Sequence, residues 1–138
     1  MTIRFHVQTV GILLLMLGMA HVFFARYFGW EKELASVSLL TRRIFFVHTF
    51  FMALLLILLG VCSLFYTDAL LEPTPLSRVA LTGLVAFWLC RLLVQLFVYD
   101  SAIWRSRRFY TVMHAAFSLM WIYVVITYSV ALRSVWNG

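Results

Sequence analysis

The sequence predicts an all-α integral membrane protein built as a four-helix bundle. Of its 138 residues, 64% are hydrophobic and 12% are charged, and the mean hydropathy is +0.99. A soluble domain of this size and composition would expose far too much apolar surface to water. Long apolar runs cover residues 5–24, 44–66, 79–99 and 109–132, each close to the ~20 residues that a helix needs to cross ~30 Å of hydrocarbon.

The connections between these runs have distinct compositions. Residues 30–43 place apolar side chains at helical spacing beside polar ones, which predicts a short interfacial helix in the first inner loop. Residues 68–78 contain both prolines and predict an extended turn on the outer side. In the third connection, Asp100 is expected to pair with one of three arginines, namely Arg105, Arg107 or Arg108.

The chain contains no Gly/Ser linker, low-complexity tract or internal repeat, so residues 1–138 are interpreted as a single four-helix domain. Cys62 and Cys90 lie within the second and third runs without a CxxC partner. We therefore interpret both cysteines as buried small residues rather than as a disulfide or a thiolate metal site.

Basic residues mark one side of the predicted bundle. The first and third connections carry Arg26, Lys32, Arg42, Arg43, Arg105, Arg107 and Arg108, whereas the opposite side has Arg4, Arg78 and Arg133. By the positive-inside rule, both termini are expected outside the cytoplasm, as in a multi-pass protein of a bacterial inner membrane. Much of the net charge of +6 then lies on the inner face, where it meets anionic lipid headgroups or an acidic partner rather than nucleic acid.

One polar side chain lies near the inner end of each predicted helix. His21, His48 and His114 all lie ~7–9 Å inside the inner boundary at 1.5 Å per residue. Gln95 lies at a similar depth on the third helix, so the four residues are predicted to form a polar layer. His6 lies ~22 Å from His21 along the first helix and is interpreted as an interfacial residue.

Strongly polar groups inside a membrane usually pair with one another or serve a function. Neutral imidazoles bind metals without adding negative charge, so His21, His48 and His114 are predicted to bind a haem b or, alternatively, a non-haem copper, iron or zinc ion. Gly18, one turn from His21, would let a macrocycle or a neighbouring backbone come close. The alternative is a purely structural polar layer of interhelical hydrogen bonds.

Arg91 lies one turn before Gln95, on the same face and deeper in the membrane. The four apolar runs contain no Asp or Glu that would neutralise it. A haem propionate, a lipid phosphate or a quinone carbonyl would accept hydrogen bonds from its guanidinium group. Alternatively, Arg91 donates to helix-end carbonyls and to the polar layer. The predicted cofactor-binding residues are thus His21, His48, His114, Arg91 and Gln95.

Motifs of several enzyme classes are absent from the sequence, including HExxH, GxSxG and a glycine-rich phosphate loop. Catalysis by this chain alone is therefore not expected, although the chain suits the role of a subunit in an oxidoreductase. The arrangement resembles the small membrane-anchor cytochromes of respiratory complexes, and this resemblance implies a b-type haem held by histidines on separate helices with quinone nearby. The resemblance is architectural and assigns no residues.

Two functions follow as hypotheses. In the first, the chain is an electron-transfer module in which two of His21, His48 and His114 ligate a haem. The third histidine, together with Gln95 and Arg91, either contacts the haem ligands or forms a quinone site. In the second, it is a non-catalytic anchor, assembly or structural subunit whose basic inner face docks a larger complex. Other membrane subunits or a second copy of the chain are the expected partners.

Overall fold

In the computed structural model, residues 2–27, 29–98 and 108–138 are described, and their regular structure is entirely helical. The helices are α1 (Ile3–Tyr27), α2 (Trp30–Glu33), α3 (Leu39–Phe65), α4 (Thr67–Leu71), α5 (Pro75–Phe97) and α6 (Arg108–Asn137). Four of them, α1, α3, α5 and α6, are long and apolar enough to span a membrane. The predicted all-α class is confirmed, and these helices are compatible with a multi-pass membrane protein.

Two of the long helices begin earlier than their apolar runs because of capping residues. The Ser38 side chain accepts a hydrogen bond from the Thr41 backbone N–H at 3.2 Å, so α3 begins at Leu39 instead of residue 44. Thr74 and Ser77 form a capping box that starts α5 at Pro75 instead of residue 79. Polar caps define these boundaries, and apolar content alone does not reveal them.

The predicted interfacial helix over residues 30–43 is shorter than expected. The helix α2 covers only Trp30–Glu33 and is followed by a single 3₁₀ turn at Leu34–Ser36. Gly29 precedes it with a positive φ of 63°, a conformation that favours glycine. The remainder of the predicted segment, from Leu39 onward, belongs to α3.

The expectation of an extended turn over residues 68–78 is wrong in its first part. Residues Thr67–Leu71 form α4, a short helix that continues almost directly from α3. The Thr67 hydroxyl donates to the Ser63 carbonyl at 2.6 Å, which holds the chain close to helical geometry across the junction. Both prolines come later, and Pro75 lies in the first turn of α5, where a missing backbone N–H costs no hydrogen bond.

The helices divide into two compact units. The α5–α6 unit comprises Met1–Val7 and Asp68–Gly138, and the α1–α3 unit comprises Gln8–Thr67. The interpretation of the chain as one four-helix domain, with both termini outside, stays a prediction.

In the α1–α3 unit, glycines let the two helix backbones touch. A Cβ added at Gly11 would lie 2.9 Å from the Gly60 carbonyl oxygen, and one added at Gly60 would lie 2.9 Å from the Gly11 carbonyl oxygen. A Cβ at Gly18 would lie 2.8 Å from Ile57 Cγ1 and 3.2 Å from the Ala53 carbonyl oxygen. Gly18 therefore admits a neighbouring helix, as in small-residue packing of membrane helices.

In the α5–α6 unit, α5 packs along α6. The buried residues of α5 include Leu81, Trp88 and Gln95, which recur every seven residues and therefore lie on one helix face. At one end of this unit, the Arg78 Nε–H donates to the Val135 carbonyl at 3.3 Å. At the other end, Gln95 contacts His114 of α6, so the two helices remain in contact along most of their length.

Large apolar side chains lie exposed along all four long helices, among them Met16, Phe50, Leu58, Val79 and Leu119. Such a surface suits hydrocarbon as solvent and would be unfavourable in water. Cys62 and Cys90 are exposed as well, so the expectation that both are buried is wrong. A thiol is weakly polar, which makes a lipid-facing position inexpensive for it.

We predict that Gly60→Ala destabilises the protein by about 1–3 kcal/mol, because the new methyl group forces two helix backbones apart. The measurement is the midpoint of loss of helical circular dichroism during denaturation in detergent. Gly83→Ala is the matched control, since none of the described atoms lies within 4 Å of a Cβ added there. Equal midpoints for the two variants would contradict the backbone contact between α1 and α3.

Candidate functional site

A hydrogen bond joins the two polar residues of α5 that stand out in its apolar sequence. Arg91 and Gln95 are four residues apart and share a face of the helix. Arg91 Nη1 donates to Gln95 Oε1 at 3.1 Å. Gln95 is 4% exposed, and Arg91 is half-buried. Arg91 thus donates to Gln95, one member of the predicted polar layer.

The same glutamine contacts α6 through its other polar atom. Gln95 Nε2 lies 3.4 Å from His114 Nδ1. A guanidinium group only donates hydrogen bonds, so Gln95 turns its carbonyl oxygen towards Arg91 and its amide N–H towards His114. His114 therefore accepts at Nδ1, and its neutral ring carries the proton on Nε2. This contact places Gln95 and His114 at one depth.

Ser118 extends this network along α6. His114 Nδ1 lies 3.2 Å from Ser118 Oγ, as expected for residues that share a helix face. The single lone pair on Nδ1 is then shared between the Gln95 N–H and the Ser118 hydroxyl. Arg91, Gln95, His114 and Ser118 thus form a continuous chain of polar contacts, which we call the α5–α6 polar site.

Aromatic rings border this polar site. The Arg91 guanidinium carbon lies 5.1 Å from the centre of the Trp121 ring, at cation–π distance. Trp121 stacks on Trp88 with 5.0 Å between ring centres and an interplanar angle of 16°. Phe117 stacks against Trp121 at 6.3 Å and 20°. A desolvated cation–π contact contributes about 2 kcal/mol, which offsets part of the cost of placing a guanidinium group among apolar helices.

Both tryptophans carry a buried N–H group without an acceptor among the described residues. Trp88 is 1% exposed and Trp121 is 3% exposed, and neither Nε1 atom has a hydrogen-bond partner in this part of the chain. An unsatisfied buried donor costs about 1–3 kcal/mol. Both N–H groups are buried, so this cost falls on the stacked pair itself.

The two histidines of the α1–α3 unit share a different arrangement. His21 Nδ1 lies 2.8 Å from the Leu17 carbonyl oxygen, and His48 Nδ1 lies 3.3 Å from the Ile44 carbonyl oxygen. A carbonyl oxygen only accepts, so Nδ1 carries the proton and the neutral ring has its lone pair on Nε2. Histidine ligands of metals are commonly oriented by this kind of hydrogen bond.

The glycine contacts fix the register of α1 against α3. Gly11 faces the stretch from Gly60 to Leu64, and Gly18 faces the stretch from Ala53 to Ile57. Extending this antiparallel register places His21 level with Met52. His48 lies one helical turn away, or ~6 Å along the axis.

The structure brings together Arg91, Gln95 and His114, whereas His21 and His48 belong to the α1–α3 unit. Within the described residues, no three His, Cys, Asp or Glu side chains form a group that could hold a metal ion. A non-haem metal centre built jointly by the three histidines stays a prediction.

The structure does not test the ion pair expected at Asp100, and it reveals a tryptophan stack that the sequence analysis did not predict. The expected ion pair of Asp100 with Arg105, Arg107 or Arg108 involves residues 99–107, which lie outside the described residues. The stack of Trp88 on Trp121 was not foreseen, although Trp88 and Gln95 on α5 have the same seven-residue spacing as His114 and Trp121 on α6. That shared spacing is the sequence signal that would have paired the two helices.

Comparison with models of protein families, with curated proteins and with solved structures finds no match for this chain. Function is therefore inferred from the chemistry and geometry of its own residues.

We predict that Arg91 and Gln95 are energetically coupled by about 1 kcal/mol, the scale measured for polar pairs within membranes. Unfolding in detergent is to be measured for Arg91→Met, Gln95→Met and the double variant. The double variant should lose less stability than the two single variants combined, because either change alone removes the shared hydrogen bond.

The control for this double-mutant cycle combines Thr82→Val with Arg91→Met. The Thr82 hydroxyl bonds to the Arg78 carbonyl of its own helix, and Thr82 lies roughly 13 Å from Arg91 along the axis. The effects of this pair should be additive. If the stability losses of Arg91→Met and Gln95→Met were also additive, the hydrogen bond between the two side chains would contribute nothing to stability.

Proposed function

We propose that the chain is an integral membrane redox module that transfers electrons between a histidine-ligated haem b and a quinone. The observation that carries this proposal is the α5–α6 polar site, in which Arg91 is held by Gln95 against the face of Trp121. The site offers fixed hydrogen-bond donors beside flat aromatic surfaces. Those two features together match a conjugated ring with carbonyl oxygens.

The donors of the polar site suit a quinone carbonyl. A guanidinium group has five N–H donors, and the bond to Gln95 uses one of them. His114 accepts at Nδ1 and joins this network through Gln95. A neutral quinone also partitions into the bilayer, so the membrane supplies it directly.

His21 and His48 are the proposed haem ligands. Their Nδ1–H groups bond to helix carbonyls, so each ring has its lone pair on Nε2, in the tautomer that iron ligation needs. His114 is assigned to the quinone because its Nδ1 is the acceptor in the polar network. A bound haem would supply one-electron transfer, His21 and His48 would hold its iron, and the surrounding side chains would set the polarity around it.

The proposed orientation puts both termini outside and these sites near the cytoplasmic side of a bacterial inner membrane. It is supported by the distribution of basic residues between the connections. Other membrane subunits or a second copy of the chain would complete the electron path, since a chain with few extramembrane residues offers little surface for a soluble donor.

A second candidate function is a non-catalytic anchor or assembly subunit. It is supported by Gln95, whose oxygen and nitrogen both have partners within the chain, as a purely structural network requires. It is also supported by a cleft of about 340 Å³ in the α1–α3 unit, where Arg42 and Arg43 lie beside Phe46. Such a cleft suits an anionic lipid headgroup or an acidic segment of a partner.

The first experiment is an absorption spectrum of the purified native protein before and after dithionite, combined with elemental analysis. We expect a Soret band and a reduced α-band, with iron bound. His21→Ala and His48→Ala should each abolish both bands, because each variant lacks one of the two side chains proposed to hold the haem. His114→Ala is the matched histidine control and should retain them.

Loss of the bands in His114→Ala together with their retention in His48→Ala would overturn the assignment of ligands. Native protein with neither haem nor metal would overturn the redox module and favour the anchor function.

The second experiment measures binding of a short-tailed benzoquinone to the protein in nanodiscs. Arg91→Met should weaken binding at the α5–α6 polar site at least tenfold, which corresponds to about 1.4 kcal/mol, with the haem spectrum unchanged. Arg78→Met is the control, because Arg78 also lies on α5 over a tryptophan, 5.4 Å from the ring centre of Trp136. Equal binding by both variants would exclude Arg91 from the quinone site.

A further inference from the structure

A second polar pair lies far from the α5–α6 polar site. His6 Nδ1 lies 2.9 Å from the Tyr123 hydroxyl oxygen, which joins the first turns of α1 to the middle of α6 within the α5–α6 unit. Both side chains are half-buried. Phe5 packs edge-on against the imidazole at 5.8 Å. His6 is thus a hydrogen-bonded residue of the helix packing, where the sequence had indicated a simple interfacial residue.

This pair lines a cavity of about 330 Å³. The lining residues are Ile3, His6, Tyr123, Ile126, Thr127 and Val130. Small-molecule sites are typically ~300–1,000 Å³ in volume, mostly apolar, with a few polar groups that orient the ligand. The cavity therefore has the size and composition of a site for one ring-sized head group, and it is too small for a haem.

The position of the cavity indicates that its ligand comes from the bilayer. Ile126 is 56% exposed and Val130 is 49% exposed, so one wall of the cavity lies on the apolar surface of a helix that is long enough to span a membrane. Arg4 and Asp68 form an exposed ion pair at 3.1 Å near the start of α1. Because charged pairs favour the headgroup region, the cavity lies just below that level.

The charges at the cavity favour a neutral ligand. Its polar lining consists of an imidazole, a phenol and the Thr127 hydroxyl, and no carboxylate, lysine or arginine is among the lining residues. The nearby Arg4 guanidinium already pairs with Asp68. A carboxylate or phosphate would therefore be desolvated without a cation to compensate it, whereas a hydroxyl or carbonyl group needs only a donor and an acceptor.

We infer that this cavity is a binding site for the head group of a neutral, lipid-soluble quinol or quinone. The imidazole and the phenol offer both donor and acceptor capacity at one end of the cavity. The aliphatic walls of Ile126 and Val130 fit the start of an isoprenoid tail that continues into the bilayer. This site is distinct from the one at Arg91 and does not require the proposed redox function.

The test uses the full chain in nanodiscs of neutral lipid with Arg91→Met as the background, so that the site beside Arg91 does not contribute. Binding of decylubiquinol is measured by equilibrium dialysis. Tyr123→Phe should weaken binding at least tenfold, because the ring is kept and the hydroxyl is lost. Ile126→Trp should abolish binding by filling the cavity while leaving the His6–Tyr123 bond intact. Circular dichroism verifies the fold of each variant.

Thr82→Val is the matched control on the same unit and should bind decylubiquinol as the background does, since its hydroxyl bonds within α5. Oleate at neutral pH should not displace the quinol. Unchanged binding in Tyr123→Phe and Ile126→Trp would overturn the inference, and so would efficient displacement by oleate. A quinol with a photoreactive azido group should label residues 121–130, and labelling confined to other segments would equally reject the site.

Discussion

The hydrogen bond from Arg91 to Gln95 determines the chemistry of the α5–α6 unit. A guanidinium group cannot accept, so the Gln95 amide has only one orientation, and that orientation fixes His114 as an acceptor at Nδ1. One obligatory donor on α5 thereby sets a tautomer on α6. Stacking on Trp121 supplies further stabilisation, which a charged side chain needs when the apolar runs contain no carboxylate.

Because of this bond, the described histidines His21, His48 and His114 do not share one tautomer. His21 and His48 bond to their own helix backbones, and their Nε2 atoms carry the lone pair. His114 has the opposite tautomer because it accepts from a side chain on another helix. His114 therefore differs in tautomer from His21 and His48. This difference supports separate roles in iron ligation and in quinone binding.

Composition and run length were enough to predict the long helices, because the need to satisfy every backbone group in hydrocarbon leaves few alternatives. Depth counting also placed Gln95 level with His114, since rise per residue is constant in a helix. Neither method reports rotation about the helix axis or the partner of a side chain. The stack of Trp88 on Trp121, the exposed cysteines and the His6–Tyr123 bond therefore had to come from the structure, as did the capped starts of α3 and α5.

The two polar clusters of the α5–α6 unit both place polar groups among apolar side chains, and they compensate the cost of desolvation differently. The Arg91 cluster keeps a permanent charge and offsets its cost with an amide and an aromatic face, so it favours an oxygen that carries partial negative charge. The His6–Tyr123 pair contains only neutral partners, so it favours a ligand without charge. Arg78 resembles Arg91 in its contact with a tryptophan, but it donates to a backbone carbonyl and so completes a helix contact. The two arginines thus differ in the acceptor that each guanidinium group meets, which is a side-chain amide for Arg91 and a backbone carbonyl for Arg78.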